Sequence, residues 1–432
     1  MNLRRIAPGV PSLVFILIPV LITTACGVGA GDAADDAPRW TAAVDTVGDT
    51  VVVRTVSGHV WEADKTLVSE VSIGVLEGED EYQFGNLRAI AVDREGRMYA
   101  YDAHVPVLRV YAPDGTWLHD IGREGEGPGE YKRPDSGLAI LPDGRVAMRD
   151  PGNGRITLYS PDGEYDGFYR IAGSFNTSRP LIADTSGAIV TFIITNLGAS
   201  VFEWERGHSR YHADGTIDTL TMPDLEFEEA MVSAQHENSS STSNVPFSPG
   251  QVTAYSRFGY YIVGVSDEYT FDLLRPEGVL RVGRSHEPVP VDRGEAAAER
   301  ERMTANFKEN YPGWKWNGPP IPDVKPAYEG FYAAEGGRIW VHVPAPSERY
   351  MDAGEQKAEE ERLGRAVNPF RAPVRFDVFE PTGEYLGQVA TPEGFSLRPQ
   401  PVFRGDTVWA TVRDEFDVQR LHRFRLEIVT AD

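Results

Sequence analysis

Carboxylates recur where short β-strands of this chain end, and carboxylates can bind a hard cation or a polar ligand. The recurring stretches are Asp102-Ala-His104, Asp150-Pro-Gly-Asn153, Ser266-Asp267-Glu268 and Arg413-Asp414-Glu415. Around the mouth of a channel they would form a ligand site. A structural alternative is an ion pair repeated within each unit, because Asp102 and Asp150 are followed by Arg109 and Arg155. We favour the structural pairing, since the pattern follows the repeat.

Two of the nine histidines, His104 and His342, are the other candidate ligands. They occur without His-x-x-His or His-Glu-x-x-His spacing. The sequence has no Gly-x-Ser-x-Gly elbow, and its single cysteine, Cys26, lies near the N-terminus. Serine or cysteine nucleophiles therefore have no support. We predict no catalytic residue and no cofactor, with Ca²⁺ or Zn²⁺ at a channel mouth as the open alternative.

A repeat of 48 residues determines where these groups lie. Gly96 and Gly144 follow matching apolar stretches, and Gly115 and Gly163 end matching Pro-Asp-Gly turns at the same offset. Each unit contains four short strands rich in Val, Ile, Tyr and Phe, which in the first unit span roughly 88–93, 97–102, 107–112 and 116–121. Four-stranded units at this spacing are typical of a β-propeller.

The number of turn glycines gives the number of units. One series is Gly96, Gly144, Gly187, Gly259, Gly337 and Gly405, and the other is Gly115, Gly163, Gly215, Gly278 and Gly383. The last unit thus lacks an outer strand, and residues 67–74 match the outer strand of the first unit. We predict an all-β, six-bladed propeller in which this N-terminal strand completes the last blade and closes the ring.

The glycine-rich stretch from Gly122 to Tyr131 is interpreted as the crossing from one blade to the next. Such a crossing needs backbone conformations that glycine adopts most easily. A phosphate-binding loop would open a helix, and no helical pattern follows Tyr131.

Three stretches carry a family resemblance: Ile90-Ala-Val-Asp93, Arg109-Val-Tyr-Ala-Pro-Asp-Gly115 and the Gly-x-Gly-Pro-Gly-Glu-Tyr crossing. They resemble repeats of NHL-type six-bladed propellers, and the chain is similar to exported bacterial "6-bladed β-propeller" lipoproteins. The resemblance covers roughly residues 67–429 and is sharpest in the first two units. It implies the fold but not the function, since relatives include binding platforms, lyases and lactonases. The channel histidines of NHL-type amidating lyases have no matching set here.

The N-terminal segment has the pattern of an export signal, with Arg4 and Arg5 before an apolar run. The stretch from Leu21 to Cys26 resembles a lipoprotein box, in which the cysteine is lipidated; a plain secretory signal is the alternative. We predict a signal peptide over 1–25, a flexible tether over 26–39, an N-terminal extension over 40–66 and the propeller over 67–432. The predicted location is membrane-anchored, on the periplasmic or cell-surface side of the envelope.

The net charge of -23 becomes -25 when Arg4 and Arg5 are removed with the signal. A surface this acidic argues against nucleic acid and anionic lipid headgroups as partners. We expect a monomer whose partner is an envelope protein, peptide or glycan.

Three insertions interrupt the repeat, at 222–248, 285–326 and 344–373, and all are predicted to lie on one face. The first is rich in Ser and Asn and is expected to be mobile, while the other two contain helical patterns over 295–303 and 352–362. Loops massed on one face of a rigid scaffold commonly bind ligands, although they can also merely cap the channel. Trp314 and Trp316 are the first aromatic contacts that we predict.

The predicted function is therefore a non-enzymatic binding propeller that recognises its ligand through the insertion-bearing face. The alternative is a metal-dependent lyase or lactonase at the channel mouth. The predicted binding residues are Asp102, His104, Asp150, Asn153, Asp267, Glu268, Trp314, Trp316, His342 and Asp414.

Overall fold

The computed structural model describes residues 39–172, 179–196, 205–236, 239–414 and 416–429. The predicted signal peptide, Cys26 and the tether up to Pro38 lie outside these ranges. Two α-helices occur in the described ranges, and neither is long and apolar enough to cross a membrane.

Three four-stranded antiparallel sheets follow one another along the chain. The first sheet contains Leu87–Val92, Met98–Asp102, Val107–Tyr111 and Trp117–Ile121. The second sheet contains Leu138–Ile140, Val146–Asp150, Arg155–Tyr159 and Tyr165–Arg170. The third sheet contains Ile182–Ala183, Ile189–Asn196, Glu205–Tyr211 and Ile217–Thr221. The boundaries predicted for the first unit agree with the structure to about one residue.

A six-stranded sheet comes next. Its first four strands are Gln251–Tyr255, Tyr261–Val265, Thr270–Arg275 and Gly278–Arg284. The strand Thr50–Gly58 pairs in parallel with Gly278–Arg284. Trp40–Val47 pairs with Thr50–Gly58 as an antiparallel hairpin. The N-terminal extension therefore widens this sheet, which the sequence did not predict.

The remaining strands form a nine-stranded sheet. They are Gly330–Ala333, Ile339–Val343, Arg375–Phe379, Tyr385–Ala390, Lys65–Ile73, Gln419–Ile428, Thr407–Arg413, Phe395–Ser396 and Val402–Arg404. Lys65–Ile73 pairs antiparallel with Gln419–Ile428, so the predicted pairing of residues 67–74 with the last strand is confirmed. Only Val389 and Ala390 pair with Lys65 and Thr66, in parallel, where the two halves of this sheet meet.

Apolar clusters lie between neighbouring sheets and form the core. Tyr99 and Leu108 of the first sheet pack against Val146 and Met148 of the second. Each fully buried aliphatic or aromatic side chain contributes about 1.5–3 kcal/mol. The first strand of the second sheet lies beside those of the first and third sheets, and the first strands of the six-stranded and nine-stranded sheets are also neighbours, which places the sheets around a common centre. This arrangement is a β-propeller.

The glycine-rich crossing after the first sheet has the predicted geometry. Gly122 and Gly129 have φ values of 68° and 72°, which favour glycine. A Cβ on Gly122 would approach the Tyr131 ring to 2.7 Å and the Gly129 carbonyl oxygen to 2.9 Å. The short strands Arg123–Glu124 and Glu130–Tyr131 pair in parallel within the crossing. The crossing interpretation is consistent with this structure.

Both predicted helices are present in the insertions. The first helix, α1, spans Arg293–Asn310, and the second, α2, spans Ala353–Leu363. Asp292 and Asp352 are their N-caps, and each accepts hydrogen bonds from two backbone amides at the start of its helix. The other short elements are the 3₁₀ turn Asp80–Tyr82 and the strand pair Glu348–Arg349 with Phe370–Arg371.

The first insertion, which was expected to be mobile, contains regular structure. Met231–His236 and Ser239–Asn244 form an antiparallel hairpin, whose Glu237 and Asn238 lie outside the described residues. Serine-rich strands have weak β-propensity, so the hairpin depends on its packing against α1. Its Val232 and Ala234 share a buried cluster with Met303 and Phe307.

Candidate functional site

A central cavity of about 640 Å³ is the candidate site. Its walls include residues of the strands Leu87–Val92, Leu138–Ile140, Ile182–Ala183, Gln251–Tyr255, Gly330–Ala333 and Val402–Arg404. The insertions at 222–248 and 285–326 lead directly into two of these strands. The end of the cavity where the strands begin therefore adjoins the insertions.

Arg179 lines this end of the cavity, just before the first strand of the third sheet. Its guanidinium carbon lies 4.1 Å from the centre of the Phe192 ring, a cation–π contact. Desolvation, and then the nearby charge of Arg206, lower the pKa of Arg179. Within the described ranges no carboxylate forms an ion pair with Arg179. Arg179 is nevertheless exposed on the cavity wall, so it is a solvent-accessible cation with no ion-pair partner in the part of the chain that the structure describes.

His208 lines the cavity next to Arg179, from the third strand of the third sheet. Its Nδ1 lies 2.9 Å from the Tyr261 hydroxyl, and its ring centre lies 5.4 Å from that of Tyr255. Burial, followed by the charge of Arg179, lowers the pKa of His208 from 6.5 to about 4. His208 is therefore neutral at neutral pH.

The opposite wall carries charges of both signs. Arg398, Glu329 and Tyr332 all line the cavity there. Burial and the charge of Glu329 raise the pKa of Tyr332 to about 12, while Arg398 opposes that shift. The Glu329 carboxylate also contacts His342, with 3.2 Å between Oε2 and Nδ1. The acid and the arginine on this wall therefore act on Tyr332 in opposite directions.

An ion-pair network lies at the other end of the cavity. Arg257 and Glu335 both line it, with 3.7 Å between Nη1 and Oε2. Arg404 binds the same carboxylate oxygen at 2.6 Å through Nε. Arg404 also donates to the carbonyl oxygen of Asp93 at 2.7 Å. The network therefore ties the sheets together at this end.

The carboxylates predicted as ligands bind backbone amides of their own sheets. Asp102 is fully buried, and Asp150 is also fully buried. The Asp102 carboxylate accepts from Gly85 and Asn86 at 2.7 and 2.9 Å, and Arg109 Nη1 lies 4.0 Å from it. The predicted pairing of Asp102 with Arg109 is thus present. Arg155 instead donates to the carbonyl oxygens of Gly127 and Glu130.

The other predicted site residues also lie away from the cavity walls. Asp414 pairs with Arg420 at 3.0 Å, and the Asn153 amide donates to the Gly125 carbonyl oxygen at 2.9 Å. His104 is exposed, and so are Asp267 and Glu268. His342 is near the cavity only through its contact with Glu329.

The two predicted contact tryptophans form part of the insertion layer. Trp314 is 9 % exposed and stacks on Phe307 with ring centres 4.5 Å apart, and its Nε1 donates to the Ser233 carbonyl oxygen at 2.8 Å. The Trp314 ring is thus used for internal packing. Trp316 is half-buried, and its Nε1 donates to the carbonyl oxygens of Gly318 and Pro319 at 3.0 Å.

The insertions contact one another and form a layer. Lys325 is buried and donates to Glu295 Oε1 at 3.1 Å and to the Ser347 hydroxyl at 2.7 Å. Lys325 also donates to the Ala345 carbonyl oxygen, so its three N–H groups are all bonded. These contacts, with the Glu295 carboxylate on the Lys325 nitrogen, are those of a structural ion pair and not of a serine–lysine dyad. The cluster instead joins the second insertion to the third.

A second serine contact also lacks the surroundings of a nucleophile. The Ser69 hydroxyl lies 2.8 Å from His422 Nδ1, and Ser72 lies 3.3 Å from Nε2. Both serines are exposed on the strand Lys65–Ile73, at the outer side of the sheet and away from the cavity. Among the described residues, no three His, Cys, Asp or Glu side chains are grouped closely enough to hold a metal ion.

No protein-family model matches the sequence, and no curated protein matches it. A member of the duf4221 family from Bacteroides vulgatus is similar in structure, at 9 % identity over 85 % of this chain and 100 % of that chain, with a TM-score of 0.49. An exported protein of Bacteroides fragilis has 11 % identity over 84 % and 95 %, with a TM-score of 0.43. A catalytically inactive virginiamycin B lyase from Staphylococcus aureus has 12 % identity over 84 % and 100 %, with a TM-score of 0.35. The functional argument rests on this chain's own residues.

The sequence analysis missed the residues that line the cavity. Arg179, Phe192 and His208 belong to the third unit, where the repeat pattern is weak. A lone arginine before a short strand belongs to no motif with a recognisable spacing. Its position was the one available signal: residues at the start of a first strand lie near the propeller axis, so they are expected to line a central cavity.

Proposed function

We propose that this protein is an exported, non-enzymatic binding propeller that takes up its ligand at the insertion-bearing face. The ligand is an envelope protein, peptide or glycan, part of which enters the central cavity. The observation that supports this most is the cavity of about 640 Å³, which adjoins the insertions and is lined by the exposed cation of Arg179. Polar groups in such a cavity orient a ligand.

We further propose that the fold is a closed, six-bladed propeller of the NHL type. The nine-stranded sheet divides into two blades at the parallel junction of Val389 and Ala390 with Lys65 and Thr66. Closure is supported by Arg404, which ends the strand Val402–Arg404 and donates to the carbonyl oxygens of Asp93 and Val92 in the first sheet. The side chains of Ile73 and Leu421 also pack with Leu87 across the same junction.

The proposal includes a lipid anchor at Cys26 after removal of residues 1–25. The test is membrane fractionation of cells that express the wild-type chain or Cys26→Ala. We expect the variant to leave the membrane fraction and to escape lipoprotein processing. If Cys26→Ala is processed and membrane-bound like the wild type, the anchor proposal is wrong.

The binding proposal is tested by capture from envelope extract. One bait is the full wild-type chain, and the other is a cavity variant that carries Gln251→Ala and Gln400→Ala. We expect a ligand that the wild type retains and the cavity variant loses. Equal capture by both baits would place binding elsewhere, and no capture by either would contradict the proposal.

Metal analysis and turnover assays address the alternative of a metal-dependent lyase or lactonase. Bound Ca²⁺ or Zn²⁺ in the purified full chain, lost on substitution of Asp102, Asp150 or His104, would favour that alternative. The described residues offer no grouped ligand set for it, so we name no catalytic residues.

A further inference from the structure

Arg257 lies at the end of the cavity opposite the insertions. It belongs to the turn between Gln251–Tyr255 and Tyr261–Val265 and lines the cavity, with 22 % of its side chain exposed. In the described ranges its one ion-pair contact is Glu335 Oε2, 3.7 Å from Nη1, which is too long for a hydrogen bond. Its Nε is shielded from solvent and also has no hydrogen-bond partner there. The guanidinium is therefore held at the cavity with its donors unused.

The aspartates at this end of the cavity have arginine partners of their own. The turns around it are all described by the structure and span residues 93–97, 141–145, 184–188, 256–260, 334–338 and 405–406. The paired turn aspartates are Asp93 with Arg97, Asp143 with Arg145, Asp184 with Arg210, and Asp406 with Arg338. Glu335 is held by Arg404 at 2.6 Å, more closely than by Arg257. Guanidinium donors without acceptors are unfavourable, and an acceptor on a ligand would remove that cost.

Apolar side chains line the cavity on the way to Arg257. They come from the first strands of the surrounding sheets and include Ile90, Val92, Leu138, Val252, Phe331 and Phe403. The strand Gln251–Tyr255 runs from the insertion side towards Arg257, and its five residues rise by about 13 Å. An extended peptide of about four residues has the same length. The cavity is thus deep enough for the end of a peptide chain.

We propose that Arg257 binds the C-terminal carboxylate of an apolar peptide segment that enters the cavity from the insertion-bearing face. Its two Nη groups can donate parallel N–H···O hydrogen bonds to the two carboxylate oxygens. The aliphatic and aromatic walls then bury the side chains of the segment. This inference rests on the proposed binding function and names the chemistry of the ligand's end.

The test is calorimetric titration of the full chain with N-acetyl-leucyl-leucine and with its C-terminal amide, which lacks the charge. We expect the free acid to bind about 10- to 100-fold more tightly than the amide, as a charge-assisted contact implies. Arg257→Gln should remove most of this preference by weakening the acid alone, and Arg257→Lys should retain part of it. Acetate, which has the carboxylate without the apolar body, should bind at least about 10-fold more weakly than the dipeptide acid.

Arg338→Gln is the matched control. It removes a guanidinium at the same end of the propeller, where Arg338 pairs with Glu380 and Asp406 outside the walls of the cavity. It should change the binding of the dipeptide acid by less than about threefold. Circular dichroism and thermal melting check that each variant is folded.

Three results would overturn the inference: no binding of the dipeptide acid, equal binding of acid and amide by the wild type, or an unchanged preference in Arg257→Gln. Octanoate is a further probe, because a fatty acid also joins a carboxylate to an apolar body. If octanoate binds more tightly than the dipeptide acid, the peptide assignment is wrong.

Capture from envelope extract separates the two proposals. If Arg257→Gln captures the same ligand in the same amount as the wild type, the carboxylate site is wrong and the binding function stands. If the wild type prefers the dipeptide acid but captures nothing, the carboxylate site stands and the proposed envelope ligand is wrong.

Discussion

Asp102 and Asp150 occupy the same position in consecutive sheets and make equivalent contacts with the backbone. Each ends the second strand of its sheet, and each carboxylate accepts two backbone N–H groups from the segment that enters the first strand. Asp102 binds the amides of Gly85 and Asn86, while Asp150 binds those of Lys132 and Arg133 at 2.8 and 2.9 Å. The repeated carboxylates thus fasten each crossing to the sheet that it enters.

Substitution of Asp102 tests this role. Asp102→Asn replaces a charged acceptor with an amide that cannot accept from all of the same N–H groups. We expect the free energy of unfolding to fall by about 2–3 kcal/mol, as measured by urea denaturation. Glu268→Gln, at an exposed position of the equivalent loop, is the control and should change little. Unchanged stability combined with lost ligand binding would show that Asp102 is a ligand residue after all.

The strand Lys65–Ile73 provides a test of the junction between the chain's two ends. Leu67 is 5 % exposed and packs in the core, whereas its neighbour Val68 is 38 % exposed on the other side of the strand. Leu67→Ala should lower the free energy of unfolding by about 2–5 kcal/mol. Val68→Ala should lower it by less than about 1 kcal/mol. Similar effects of both substitutions would be inconsistent with the pairing of this strand and Gln419–Ile428.

Trp314 is expected to stabilise the insertion layer and not the whole propeller. Trp314→Ala removes the ring that stacks on Phe307 and supports the hairpin. We expect hydrogen exchange to rise in residues 231–236 and in α1, with little change in the first and second sheets. Trp316→Ala, at the half-buried neighbour, should have a smaller effect. Global unfolding of Trp314→Ala would instead show that the layer and the sheets fold as one unit.

His208 makes stability depend on pH. Its pKa falls from 6.5 to about 4 on folding, so between these values the unfolded chain binds a proton that the folded chain does not. Stability therefore decreases as pH falls, and the contribution of His208 between pH 7 and pH 5 is about 2 kcal/mol. His208→Gln should remove this part of the slope in urea denaturation at pH 7, 6 and 5. His104→Gln, at an exposed site, should keep the wild-type slope.

The regular parts of the fold could be predicted because their signals are local. Turn glycines such as Gly96 and Gly144 adopt φ values of 82° and 89°, and the alternation of apolar residues gives the strands between them. The N-terminal hairpin could not be predicted in this way. Thr50–Gly58 joins its sheet by parallel pairing with Gly278–Arg284, a contact between residues more than 200 positions apart.

The site was harder to predict than the fold for a physical reason. Asp102 and Trp314 belong to residue types that often bind ligands, but hydrogen bonding and packing within the chain occupy both of them here. Arg179 gave no signal in the sequence, because what distinguishes it is its place on the wall of a cavity that several sheets surround. That property depends on which sheets are neighbours.

The pairing of Lys65–Ile73 with Gln419–Ile428 also determines when folding can be completed. Lys65–Ile73 is synthesised early, but its partner Gln419–Ile428 is synthesised more than 300 residues later. The final sheet therefore cannot assemble on a partly synthesised chain. Until then Leu67 and Ile73 keep their apolar side chains exposed. The core around this strand can therefore close only after Gln419–Ile428 has been made.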